Sequence, residues 1–295
     1  MFSGIFVPSL TPLTPEDQVD TKALCELIEF SLSNKVDGLY LCGSTGEGVL
    51  LSEEERRLVV ETAVKHVRGR VPIIVHVGAA STPVAERLSR HAREVSADAV
   101  SAVPPFYFSV GRKGIEEHYR RISRAAELPL YLYNIPGATH VDLGADLIKA
   151  LLDEGVAQGL KYTSHNQLRF REIIEVCGPR LNVFSGPDEM LLPFLVMGAQ
   201  GGIGTTYNCM PSLYVGLYAA WQAGDVERAR QLQFQADRII LLLLRYGVVP
   251  ATKVAMRLLG VECGGPRAPL VPLTEEQQER LSQELREADF FSFAA

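Results

Sequence analysis

Short apolar segments alternate with longer amphipathic ones along most of the chain. The short segments are Ile5-Phe6-Val7, Gly38 to Cys42, Ile73 to Val77, Ala99 to Val103, Leu130 to Tyr133, Val156 to Lys161, Asn182 to Ser185 and Gly202-Ile203-Gly204. Their apolar residues come in runs rather than in strict alternation, the pattern of parallel strands covered on both faces. Between them the chain predicts helices. Ser52 followed by Glu55 is a capping box that opens one through His66. Thr82-Pro83 opens another through Val95, with proline in the first turn. Glu116 to Ala126, Asp142 to Leu152, Asn166 to Cys177, Asp188 to Met197 and Pro211 to Ala223 continue the alternation.

Eight strand–helix units within residues 1–224 fit a closed (β/α)8 TIM barrel better than an open doubly wound sheet. An open dinucleotide-binding sheet places GxGxxG after its first strand, where this chain has Ser9-Leu10-Thr11-Pro12. Past residue 224 only helices are expected, over Asp225 to Leu244, Ala251 to Leu259 and Thr274 to Ala288. Residues 1–224 are therefore read as the catalytic barrel and residues 225–295 as a C-terminal helical extension.

Composition then removes several classes of function. The formal net charge of -6 comes from interspersed signs without a long basic run, which argues against a nucleic-acid partner. The densest apolar run, Ile239 to Leu244, is far too short for a membrane span. No basic region leads into an apolar stretch at the N-terminus, so a cytoplasmic location is the default expectation. Five scattered cysteines without a CxxC pair read as reduced thiols. Six histidines make no HExxH or HxH pair, so no protein-ligated metal is expected.

In a barrel of this type the chemistry sits where strands open into their following loops. The sixth apolar segment ends in Lys161, ahead of the hydroxyl-bearing run Tyr162-Thr163-Ser164. Poor solvation at such a position disfavours the ammonium form, leaving an amine able to attack a ketone and form a Schiff base. A solvated lysine in a loop is the plainer alternative. After the second segment, Gly43-Ser44-Thr45-Gly46-Glu47-Gly48 sets two hydroxyls beside backbone N–H groups, a combination suited to a carboxylate or simply to a tight turn. Tyr133-Asn134-Ile135-Pro136 places a phenol at a strand end, as a proton shuttle or as rim packing. Gly186-Pro187-Asp188-Glu189 and Gly204-Thr205-Thr206-Tyr207-Asn208 follow the last two strands. The paired acids there either complement a helix dipole or accept hydrogen bonds from a sugar chain.

Together these motifs, in this order and spacing, resemble the pyruvate-dependent class I aldolases, the family containing N-acetylneuraminate lyase and dihydrodipicolinate synthase. The resemblance runs from Gly4 to the tail Asp289-Phe290-Phe291-Ser292-Phe293. Gly186-Pro187-Asp188-Glu189, Leu195-Val196-Met197-Gly198-Ala199 and the tail are similar to the sialic acid lyase branch. The synthase branch carries an arginine after its Tyr-Asn-x-Pro, where this chain has Ala138.

The resemblance implies that Lys161 forms the Schiff base and that Tyr133 relays the proton, with Ser44 and Thr45 on the substrate carboxylate. It implies that Thr163, Gly186, Asp188, Glu189 and Thr205 hold a polyhydroxyl chain, and that Tyr107 reaches into a neighbouring subunit of a homotetramer. No metal or organic cofactor is implied, because the iminium itself is the electron sink. The implied reaction is reversible cleavage of N-acetylneuraminate to pyruvate and N-acetylmannosamine. Its rivals are a lyase for another 2-keto-3-deoxy sugar acid such as 2-keto-3-deoxygluconate, dihydrodipicolinate synthesis, and a silent sugar-acid-binding barrel. The chain departs from the family pattern on the sugar side. His140 stands where relatives usually have glycine, Thr205 replaces a serine, and His165-Asn166 replaces the Gly-Asp of bacterial lyases.

Overall fold

A computed structural model describes residues 1–292; Phe293, the last residue of the tail motif, lies outside the described residues. The first half of the barrel runs β1 (Gly4–Pro8), α1 (Thr21–Ser33), β2 (Gly38–Leu41), α2 (Glu53–Val67), β3 (Ile73–His76), α3 (Thr82–Glu94), β4 (Ala99–Ala102) and α4 (Gly111–Ala126). The second half runs β5 (Leu130–Asn134), α5 (Pro136–Thr139), α6 (Ala145–Asp153), β6 (Gly159–Tyr162), α7 (Gln167–Cys177), β7 (Asn182–Ser185), α8 (Leu191–Val196), β8 (Gly201–Ile203) and α9 (Pro211–Gln222). Three further helices follow, α10 (Val226–Tyr246), α11 (Val248–Leu258) and α12 (Glu275–Glu287). The strands are all parallel in sequence order, and β8 pairs with β1 to close the barrel.

The strands read as continuous apolar runs because both of their faces are buried. One face points outward to the helices and includes Ile5, Val7, Leu39, Leu41, Leu130, Leu132, Leu160 and Val183. The other fills the barrel with Phe6, Tyr40, Ile74, Ala99, Tyr131, Tyr133, Phe184 and Ile203. Successive strand residues alternate between these two cores, as strand geometry requires. Register then fixes the chemistry: Tyr133 lies beside Lys161, which lies beside Phe184, so lysine and tyrosine share the interior face.

The boundaries differ from the expected ones where local turns compete with the apolar pattern. The chain adds α1, absent from the expected alternation although Asp20 caps it by accepting from the N–H groups of Lys22 and Ala23. The small helix α5 is also additional, opened by Pro136 directly after β5. Helix α4 starts at Gly111, five residues ahead of Glu116, and β6 starts at Gly159 rather than Val156. The helix expected over Asp188 to Met197 is broken: residues 188–190 form a single tight turn and only Leu191–Val196 is α-helical. That break turns Asp188 inward instead of leaving it in an exposed first turn. The capping box of Ser52 and Glu55 is present at α2. Among the described residues no single helix is long and apolar enough to cross a membrane.

Candidate active site

Lys161 projects into the upper barrel from β6, with only 4% of its surface exposed. Its Nζ lies 4.3 Å from the Tyr133 ring centroid and 4.5 Å from that of Tyr40. Among the described residues no carboxylate pairs with it. The contrast with the second buried lysine is sharp. Lys253 on α11 sits 2.8 Å from Glu47, both side chains essentially inaccessible, and also donates to two backbone carbonyls. Lys253 is thus engaged by a carboxylate and two carbonyls, whereas the Lys161 amine has neither and faces the barrel interior, where a substrate ketone can reach it.

The loop after β2 comes to the same point from the other side. Ser44 Oγ is 3.5 Å from the Tyr133 hydroxyl, and Thr45 Oγ1 is 2.7 Å from Thr205 Oγ1 on the loop after β8. Ser44 is exposed and Thr45 buried, so one hydroxyl faces the barrel mouth while the other ties two loops together. Gly48 is required here, because a Cβ would come within 1.8 Å of the Cys42 carbonyl oxygen.

Beside this centre opens a cleft of about 610 Å³. Its walls include Ala138, Thr163, Gly186, Asp188, Glu189 and Thr205, with Thr163 directly after β6 and two residues beyond Lys161. Thr163 Oγ1 is buried without a hydrogen-bond partner, and a Cβ on Gly186 would come within 1.8 Å of it. Asp188 Oδ2 accepts from the backbone N–H and the hydroxyl of Thr206, both at 2.6 Å. Burial pushes the Asp188 carboxyl up to about 6; the Thr206 bonds oppose the rise and Glu189 adds to it. Near neutral pH Asp188 is thus a carboxylate with accepting capacity left beside the cleft. Glu189 Oε1 is 2.6 Å from His165 Nε2, a pair at the rim.

Residues 1–288 match the dihydrodipicolinate synthetase family. The chain belongs to that family. An N-acetylneuraminate lyase of Rhizobium meliloti (strain 1021) is 37% identical over 272 residues, covering 92% of this chain and 90% of the relative. A 4-hydroxy-tetrahydrodipicolinate synthase of Acetivibrio thermocellus is 36% identical over 288 residues, covering 97% of each. Among solved structures, a pyruvate complex of an E. coli K12 prophage protein in the dihydrodipicolinic acid synthase family superposes with a TM-score of 0.94 at 29% identity, covering 98% of this chain and 99% of that one. The wild-type sialic acid aldolase of Ruminococcus gnavus superposes with a TM-score of 0.93 at 28% identity, covering 99% of each. Membership of this dihydrodipicolinate synthetase family makes the chain a carbon–carbon lyase of the class I pyruvate aldolase type.

Within the family frame, the structure brings Lys161, Tyr133, Ser44, Thr45 and Thr205 to one centre, with Thr163, Gly186, Asp188 and Glu189 in the adjoining cleft. Tyr107 is not gathered into that group. It stands 78% exposed on the loop between β4 and α4, packed edge-on against Phe108. His140 caps α5 at a φ of 56°, the left-handed region that suits glycine.

Several site residues escape a reading of the sequence. Ile240, Leu244 and Val248 from α10 and α11 form an apolar wall of the cleft. Nothing distinguishes them from ordinary helix packing along the chain. His76, at the end of β3, stands edge-on to Tyr133 with ring centroids 5.8 Å apart. Burial first, then Arg56 and Lys161, hold its pKa well below 6.5, so it is a neutral wall of the site. Position was the available signal, since His76 ends β3 and Tyr133 and Lys161 lie one residue from the ends of β5 and β6.

Proposed function

We propose that the protein reversibly cleaves N-acetylneuraminate to pyruvate and N-acetylmannosamine through a Schiff base on Lys161. The observation that carries this reading is the unpaired buried Lys161 amine against the Tyr133 ring, whose hydroxyl meets Ser44 at the barrel mouth. The Lys161 amine attacks the C2 ketone of the open-chain sugar acid, and loss of water leaves an iminium. Tyr133 gives its phenol proton to the hydroxide that leaves as water, and its oxygen then receives the C4 hydroxyl proton, by way of the substrate carboxylate, as the C3–C4 bond breaks. Those bonding electrons move into the iminium, giving an enamine and releasing the aldehyde. Protonation at C3 and hydrolysis then free pyruvate and the amine. Ser44 and Thr45 bind the carboxylate, keeping the ketone within reach of Lys161.

The cleft supports a polyhydroxyl aldehyde rather than a second carboxylate. Neither lysine nor arginine lines it among the described residues, and Asp188 and Glu189 repel a dicarboxylic substrate while accepting from hydroxyls. The orphaned Thr163 hydroxyl points to a bound partner of the same kind. In this reading residues 1–224 are the catalytic barrel and residues 225–295 the helical extension, with Tyr107 completing a neighbouring site in a cytoplasmic homotetramer.

One observation favours a second sugar acid. The His165–Glu189 pair occupies part of Glu189's accepting capacity at 2.6 Å, and Ala138 leaves its wall short. A substrate without the N-acetyl group and with a shorter chain, such as 2-keto-3-deoxygluconate, makes fewer demands there. Parallel assays decide between them: kcat/KM should be higher for N-acetylneuraminate. Negligible cleavage of it beside turnover of 2-keto-3-deoxygluconate would replace the first reading with the second.

A further inference from the structure

The carboxylate-binding loop is held from outside the barrel. Glu47, in the middle of Gly43-Ser44-Thr45-Gly46-Glu47-Gly48, has an inaccessible side chain and a φ of 56°. Cys42, where the loop begins, has the same φ of 56°. Two non-glycine residues in the left-handed region persist only where their surroundings over-determine the conformation. Those surroundings converge on α11. Lys253 Nζ is 2.8 Å from Glu47 Oε1 and donates to the Thr11 and Gly265 carbonyls at 3.0 and 2.7 Å. Thr11 in turn donates from its hydroxyl to the Gly46 carbonyl at 2.7 Å. Glu47 Oε2 accepts from the Arg267 N–H at 2.5 Å, and the Arg267 guanidinium reaches Glu55 at 2.7 Å. Lys253 therefore grips the loop twice, directly through Glu47 and through Thr11 onto Gly46. The two grips close on the first and second residues after Thr45.

We propose that Lys253 and Glu47 are positioning residues for capture of the substrate carboxylate, which they achieve by fixing Ser44 and Thr45 from α11. Neither touches the substrate. The assignment rests on the reading of Ser44 and Thr45 as the carboxylate site and adds what sets their geometry. It gives the helical extension a part in substrate selection, because the ion pair spans the two. A buried ion pair is poor evidence for net stability, since desolvation offsets the attraction, but with the hydrogen bonds of Lys253 to the Thr11 carbonyl and of the Arg267 N–H to Glu47 Oε2 it fixes one arrangement of what it joins. Substrates without a carboxylate gain nothing from that arrangement.

The test compares pyruvate with pyruvamide, its uncharged analogue, by borohydride trapping on Lys161 in the full-length protein. Native protein, Glu47→Gln and Thr11→Val are compared, each first shown folded by circular dichroism and a cooperative thermal transition. Glu47→Gln keeps the shape of the anchor, and Thr11→Val cuts the second grip without touching the ion pair. In both variants the pyruvate concentration for half-maximal trapping should rise about tenfold or more, while that for pyruvamide stays within about twofold. Lys253→Met should do the same, and Lys253→Arg should recover part of the loss. An equal fall for pyruvate and pyruvamide, or no change for pyruvate in folded variants, would overturn the proposal by leaving the pair a structural brace. Native protein that traps pyruvamide as readily as pyruvate contradicts the carboxylate reading of the loop itself, whatever the variants do.

Discussion

Lys161 and Lys253 are chemically identical and almost equally buried, and their partners alone separate them. Lys161→Ala should abolish turnover and pyruvate trapping while the thermal transition remains cooperative; appreciable residual activity would place the nucleophile on another lysine. Tyr133→Phe should lower kcat by about 10²-fold or more, the range for a general acid–base group, while imine formation survives. Near-normal kcat would remove Tyr133 from the proton relay. Asp188 yields a pH prediction with a definite sign. Its folded pKa of about 6 lies above the usual 3.8, so the folded protein holds the proton more tightly than the unfolded chain. The stability contributed by that proton is present below about pH 4 and lost as pH rises through 6. Asp188→Asn should therefore gain on the native protein by about 2 kcal/mol between pH 4.5 and 7.5 in denaturant unfolding. A pH-independent difference would contradict the burial account. Function runs the other way: native KM for the sugar acid should rise below pH 6 as the acceptor is protonated.

At the scale of elements, the strand ends were legible and the turns between them were not. Lys161 and Tyr133 could be placed because a strand ending in a polar residue after an apolar run is a strong local signal. Asp188 and Glu189 looked like the first turn of a helix; only the break after residue 190 shows that Asp188 turns inward onto Thr206. Helix α1 carries an ordinary signal, Asp20 ahead of the buried Ala23, Leu24, Leu27 and Ile28. The packing of elements yields predictions of its own. The ends of β6 and β7 approach so closely that Gly186→Ala must displace Thr163, and KM for the sugar acid should rise sharply with Lys161 trapping of pyruvate intact. Loss of trapping as well would show that the clash spreads into the Schiff-base centre. By contrast, Ser52→Ala removes only the capping box of α2 and should cost about 1 kcal/mol of stability. An unchanged unfolding midpoint would mean the cap is redundant.

Across the whole molecule, the barrel was readable because its eight repeats state one rule many times, and the two unexpected helices α1 and α5 do not alter the topology. The site on its rim was readable in part, for the residues carried on strand ends. What stayed hidden arrives from far along the chain. Ile240, Leu244 and Val248 look like the apolar stripe of packed helices, and Lys253 looks like any helical lysine, until the fold brings them to the cleft and to Glu47. Family membership sets the class of chemistry. The whole account depends on Lys161 forming an imine. Incubation with pyruvate and sodium borohydride, followed by intact mass and peptide mapping, examines this most directly. The account predicts one reduced pyruvate adduct per chain, on the peptide containing Lys161. A folded protein with no adduct, or with the adduct on another lysine, would contradict it.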